Sequence, residues 1–168
     1  MIIFSDICGE AHDELFTDAY PFTVVDDVVY EVEAEMKQVK DQNDFNIGAN
    51  ASAEEEGENL DENVRTVNNV VEGMQLVETS FDKKAYMTYI KGYMKSVSNK
   101  LKESNPERVE PFQKAAAAYV KTVIGQISEY QFFTGASMDP DGMVVLCIWR
   151  DEKPVMIYFK DGVKSQKV

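Results

Sequence analysis

The 168-residue sequence predicts an α+β fold: a mostly antiparallel β-sheet core, a helical hairpin and a mobile acidic loop. Three observations carry this. Residues 30–37 (YEVEAEMK) alternate apolar and charged side chains, the period of a half-buried antiparallel strand. Tyr86, Tyr89, Ile90, Tyr93, Met94, Val97 and Leu101 form one apolar stripe at helical period. Residues 131–162 are apolar runs cut by turn residues. One domain over 1–168 follows, with a β core at 1–50, 64–79 and 129–168, the loop at 51–63 and the hairpin at 80–128.

Taken in order, Met1 to Phe4 is a short apolar strand, and residues 1–40 as a whole read as strands and turns. Residues 41–63 hold eight acids and no Lys or Arg. Self-repulsion and the shortage of apolar side chains leave such a segment unable to recover its ordering entropy. Residues 64–79 are ambiguous. Val64, Val67, Val70 and Val71 fit a short helical face, and Met74 to Glu78 fits a strand after Gly73. Ser80 or Asp82 caps the first long helix. Ser104-Asn105-Pro106-Glu107 stops it and reads as a capping box for a second helix through Phe112, Tyr119, Val123 and Ile127. So short a link makes the two helices antiparallel neighbours. Met143 to Trp149 reads as a central strand buried on both faces, with turns at Asp139-Pro140-Asp141-Gly142 and at Arg150 to Pro154 before a last strand at Val155 to Phe159.

The net charge of −13 disfavours general nucleic-acid binding, which rests on phosphate neutralisation. The charge is unevenly placed. Residues 80–128 hold nine basic and four acidic side chains, net +5, which leaves −18 for the rest. Lys84, Lys91, Lys95 and Lys102, spaced 7, 4 and 7, share one helix face away from the tyrosines. That row is either a solvated face or a docking surface for an acidic partner.

Catalytic patterns are absent from the sequence. No phosphate-binding Gly-Lys-Ser/Thr loop occurs, and His12, the one histidine, sits in a polar turn. Cys8 and Cys147 are too few for a four-ligand structural zinc. Both read as reduced thiols of a cytoplasmic protein, Cys147 packed in an apolar run and Cys8 the more exposed. Asp139 and Asp141 begin like a calcium loop, but Pro140 and Gly142 break the pattern. Residues 1–8 read as no signal peptide, and no window has the ~20 apolar residues of a membrane span.

Several blocks are similar to the translationally controlled tumour protein family, also called fortilin or histamine-releasing factor. They are MIIFSDI at the start, the Asp13-Glu14-Leu15-Phe16 turn, Ile47-Gly48-Ala49-Asn50-Ala51-Ser52-Ala53-Glu54, Tyr89-Ile90-Lys91-Gly92-Tyr93, Phe132-Phe133-Thr134-Gly135 and Met138-Asp139-Pro140-Asp141-Gly142. One departure is Ala136, where the family usually has glutamate, so no role of that glutamate transfers here. The resemblance implies a tent-like β core similar to the release chaperones of Rab GTPases, with the hairpin projecting from it. It implies a non-enzymatic cytoplasmic interaction protein of growth and survival control. Its implied partners are tubulin or microtubules through the hairpin (Lys83, Lys84, Lys91, Lys95, Lys102), translation elongation factors, survival-regulating proteins, and a Rheb-type GTPase at Glu14. The signature loop is Gly48, Asn50, Ser52 and Glu54. No cofactor is implied beyond weakly bound Ca²⁺, for which Glu54, Glu55, Glu56 and Glu58 are the candidates. The alternatives are a calcium buffer working through that loop, or an enzyme like the methionine sulfoxide reductases that share the core.

Overall fold

A computed structural model describes residues 1–40 and 64–168. The signature block and the acidic run, with Gly48, Asn50, Ser52, Glu54, Glu55, Glu56 and Glu58, lie outside the described residues. The elements are β1 (Ile2–Asp6), β2 (Glu14–Thr17), β3 (Phe22–Val25), β4 (Val29–Glu33), β5 (Met36–Lys40), β6 (Val64–Asn68), α1 (Asn69–Met74), β7 (Val77–Thr79), α2 (Lys83–Ser104), α3 (Val109–Gly125), β8 (Tyr130–Thr134), β9 (Val145–Arg150), β10 (Lys153–Phe159) and β11 (Val163–Lys167).

The strands form a six-stranded sheet in the order β3-β4-β10-β9-β8-β7, a three-stranded sheet β11-β1-β2 and the pair β5-β6. Among the described residues every pairing is antiparallel. The two tightest hairpins turn on residue pairs with positive φ, Asp26-Asp27 at 54° and 55° and Asp151-Glu152 at 52° and 67°. Positive φ at both central positions matches the right-handed twist of the strands they join.

Alternation along the six-stranded sheet separates two apolar faces. Register places Tyr30 opposite Tyr158 and Val32 opposite Met156. That face meets the three-stranded sheet: Phe16 lies 4.5 Å from Tyr158 between ring centroids, Phe4 lies 5.4 Å from Tyr30, and the Tyr158 hydroxyl donates to the Leu15 carbonyl at 3.0 Å. Phe132, Leu146, Ile157 and Phe159 belong to the other face, which α2 and α3 cover. The molecule is therefore layered, with the large sheet in the middle.

Four local expectations are corrected. The YEVEAEMK alternation is not one strand: β4 ends at Glu33 and β5 starts at Met36 in a different sheet. Ala34 is buried with its N–H on the Pro154 carbonyl, and Met36 is 41% exposed. A period of two does not register a change of partner strand. Val64 and Val67 belong to β6; the helix begins only at Asn69, because the Asn68 carboxamide accepts from the Val70 and Val71 N–H groups and caps it. No capping box forms at Ser104. That residue is the last of α2, its hydroxyl donating to the Lys100 carbonyl, and the second long helix starts only at Val109, after Asn105 and a 3-10 turn at Pro106–Arg108. Trp149, expected in a doubly buried strand, is 46% exposed at the end of β9.

The N-terminal turn is sewn to the turn at 135–143 by three aspartates. Asp139 accepts from the Glu10 and Ala11 N–H groups at 2.8 and 3.2 Å, and Asp13 accepts from the Ser137 N–H and hydroxyl. Asp6 is buried and accepts from the Cys8 and Met143 N–H groups at 2.9 and 2.6 Å. Gly9, at φ 77°, gives the turn a conformation and a closeness to Asp139 that a Cβ would forbid. Burial is the main cause that pushes the Asp6 carboxyl up from 3.8 to about 6, against the two N–H bonds that favour its charge.

A carboxyl raised in the folded state favours folding when protonated. Its contribution is full below about pH 4 and is lost as pH rises through about 6. The stability of the wild type minus that of Asp6→Asn is expected to fall by roughly 2–3 kcal/mol between pH 4 and pH 7 in urea titrations. A difference independent of pH would show that burial does not strain this carboxylate.

Candidate functional site: the basic groove of the helical hairpin

The Asp82 carboxylate caps α2 by accepting from the Ala85 N–H at 2.7 Å. Of the two capping residues that the sequence offered, Asp82 is the one used. The predicted stripe faces the sheet: Tyr86, Ile90, Tyr93, Val97 and Leu101 are buried, and α3 adds Phe112, Ala116, Val120 and Val123. Tyr86 packs on Phe132 at 5.4 Å between centroids, and Tyr93 and Tyr119 pack on Phe159 at 5.8 and 6.5 Å. Pairs of this kind contribute about 0.5–1.5 kcal/mol each beyond the area they bury.

Polar contacts fix where the hairpin sits. The Tyr89 hydroxyl donates to the Gly142 carbonyl at 2.7 Å and accepts from the Val144 N–H at 2.8 Å. At the far end Arg108 holds the Asp161 carboxylate at 2.8 Å and the Asp27 carboxylate at 2.7 Å. Lys160 joins Asp27 as well, and these cations hold the Asp27 carboxyl below its usual range. The side chains of Arg108 and Asp161 are 15% and 10% exposed, so water screens this pair less than an open surface pair. Between the helices, the Gln113 carboxamide donates to Ser98 at 3.2 Å.

With one face committed to the sheet, the helices meet solvent through a groove made of two wells. The first, of 430 Å³, has an apolar floor of Met87, Ile90, Met94, Ala117, Val120 and Ile124, rimmed by Lys83, Lys91 and Lys121. The second, of 410 Å³, shares Lys91 and Met94 and adds Lys95, Lys102, Ser98, Asn99 and Gln113. No acidic side chain lines either well among the described residues. The structure thus brings Lys83, Lys91, Lys95 and Lys102 to one groove. Lys84 is exposed but lies outside both wells. Lys121 was missed from the sequence, since it stands on the other helix. Its signal there is a lone lysine between the apolar Val120 and Val123 of the second helix.

The other singled-out residues are elsewhere. Glu14 is exposed at the head of β2, in the three-stranded sheet, and no ion pair engages it among the described residues. His12 is exposed in the N-terminal turn, with Nδ1 3.0 Å from the Asp6 carbonyl. Cys8, expected to be the more exposed thiol, is buried at 2% exposure under the same aspartate-sewn turn. Burial pushes both Cys8 and Cys147 up to about 12, and neighbouring Asp6 and Glu78 add to it. Among the described residues, no group of three or more His, Cys, Asp or Glu is placed to hold a metal ion. Nor is any helix there long and apolar enough to cross a membrane.

The family model described as translationally controlled tumour protein matches residues 1–164. The chain belongs to that family. Within it, the chain is 50% identical to the homologue from Schizosaccharomyces pombe, with 99% of each chain covered. It is 48% identical to the Saccharomyces cerevisiae homologue over the full length of both. A solved structure of the family from Schizosaccharomyces pombe superposes with a TM-score of 0.84 at 49% identity, covering 100% of both chains. The Caenorhabditis elegans member superposes at 0.71 with 26% identity, covering 100% of this chain and 99% of that one. The α+β architecture with its helical hairpin is thus the fold of the translationally controlled tumour proteins.

Two outcomes follow for the groove's supports and for the thiols. Tyr89→Phe leaves the Gly142 carbonyl and Val144 N–H without their partner and should cost about 1–3 kcal/mol in thermal or urea unfolding. Iodoacetamide at pH 8 should leave Cys8 and Cys147 unmodified in the native protein and label both in urea. Rapid native labelling of either would mark a reactive thiol and reopen a nucleophilic role.

Proposed function

We propose that this chain acts by binding, not by turnover, and that the basic hairpin groove is its docking surface for acidic segments of partner proteins. The observation that carries this is the convergence of Lys83, Lys91, Lys95, Lys102 and Lys121 from two helices on a groove whose lining, among the described residues, holds no acid, in a chain of net charge −13. A basic patch on an acidic body orients an approaching acidic partner and raises its association rate. Tubulin, with its acidic tails, fits that chemistry and is the partner implied by the family blocks. Glu14 is a separate exposed carboxylate suited to a GTPase contact on another face. Cytoplasmic localisation and contacts with elongation or survival factors belong to the same reading.

Reversing Lys83, Lys91, Lys95 and Lys102 to glutamate removes four attractive charges and adds four repulsive ones. Microtubule co-sedimentation should weaken at least about tenfold, since each exposed pair contributes ~0.2–1 kcal/mol. Wild-type binding should fall as salt rises past about 0.15 M, where screening shortens to about 8 Å. Unchanged binding by the reversed variant would remove the hairpin from the tubulin contact.

A further inference from the structure

We propose that the occupant of the hairpin groove is a helix: an acidic, amphipathic helical segment of a partner, its apolar residues seated between α2 and α3 and its carboxylates on the lysine rims. This rests on the docking surface proposed above and specifies what it holds. The floor carries two matched rows. Met87, Ile90 and Met94 on α2 stand at i, i+3 and i+7, and so do Ala117, Val120 and Ile124 on α3. Rows of that spacing on two neighbouring helices are how a bundle presents itself to one more helix. Ala117 lets a backbone approach closely, while Met87 and Met94 adapt to whichever side chains enter.

The polarity of the groove changes along its length, and this sets the direction of the partner's pattern. The apolar well lies towards the start of α2, and the well holding Ser98, Asn99 and Gln113 lies towards the hairpin turn, beside Lys95 and Lys102. From Lys83 to Lys102 the surface runs about 28 Å, or about five helical turns. Ile90 and Val120 are already buried at the bottom of the groove, and a structureless acidic tail would use only the lysines and leave Met87, Met94, Ala117 and Ile124 uncovered. A helix with an apolar stripe at one end and acids on its flanks uses both. The hairpin of a second copy is excluded by sign, because nine basic against four acidic side chains would face a surface of like charge.

The test uses the full chain and two synthetic peptides of about 20 residues with identical Leu, Ala and Glu content. One places leucine at i, i+3 and i+7 in one half only, with glutamate on its flanks and through the other half; the other is scrambled to have no apolar face. Fluorescence anisotropy should show the amphipathic peptide binding at least about tenfold tighter than the scrambled one and gaining helical circular dichroism on binding. Met87→Gln with Ala117→Gln, both at the solvent-facing side of the groove, should erase that difference while the variant keeps a single cooperative unfolding transition. Equal affinity for the two peptides, with no effect of the double variant, overturns the helical occupant and leaves the basic docking surface standing. If neither peptide binds, or lysine reversal changes neither affinity, both proposals fall.

Discussion

Two phenylalanines of the central sheet, Phe132 and Phe159, receive the tyrosines of the hairpin, and the orientation of both helices follows from that contact. An α-helix has one circumference to divide between core and water. Once Tyr86 and Tyr93 point at the sheet, Lys91, Lys95 and Lys102 stand exposed, and Met87 and Met94 fall on the flank facing α3. The groove is what remains of two amphipathic helices after each has buried its best face. Polar contacts pin the helices against sliding. A shift along the sheet would break Tyr89 from Gly142 and Val144 and, at the other end, Arg108 from Asp161 and Asp27.

Charge is handled differently in the two halves of the molecule. On the hairpin it is left open to solvent, where it acts at a distance on other molecules. In the body, several aspartates are used locally. Asp139 and Asp13 close turns by accepting backbone N–H groups, and Asp27 neutralises Arg108 and Lys160. The Asp139 carboxylate accepts the N–H groups of Glu10, Ala11 and Asp141, so the stretch that resembles the start of a calcium loop serves as a staple, and these bonds hold its carboxyl below its ordinary range. Asp6 is the opposite case, a carboxylate whose burial outweighs its hydrogen bonds.

Signals that live within one element could be read directly. Five of the seven stripe residues of α2 are buried, while Tyr89 is half-buried and Met94 lines the groove; Asp82 caps the helix as one of its two candidates; and Lys84, Lys91, Lys95 and Lys102 are all exposed, although Lys84 lies outside both wells. Readings failed where a neighbour in space overrode the local pattern. Strands β4 and β5 share an unbroken alternation yet pair with different sheets, because the choice between Pro154 and Asn68 as neighbour is made across the chain. Ser104 looked like a forward cap but bonds backward, and Cys8 looked exposed until residues 135–143 were laid over its turn.

From residue order alone came the fold class, the tyrosine-faced helix, the segregation of positive charge into residues 80–128 and the blocks that resemble the family. These depend on periodicity and composition, which are properties of neighbouring residues. The groove depended on three-dimensional packing. Ala117, Val120, Lys121 and Ile124 are more than twenty residues from the α2 side chains that they meet. No local pattern specifies how two helices rotate about their axes, which is set by the sheet that both must cover.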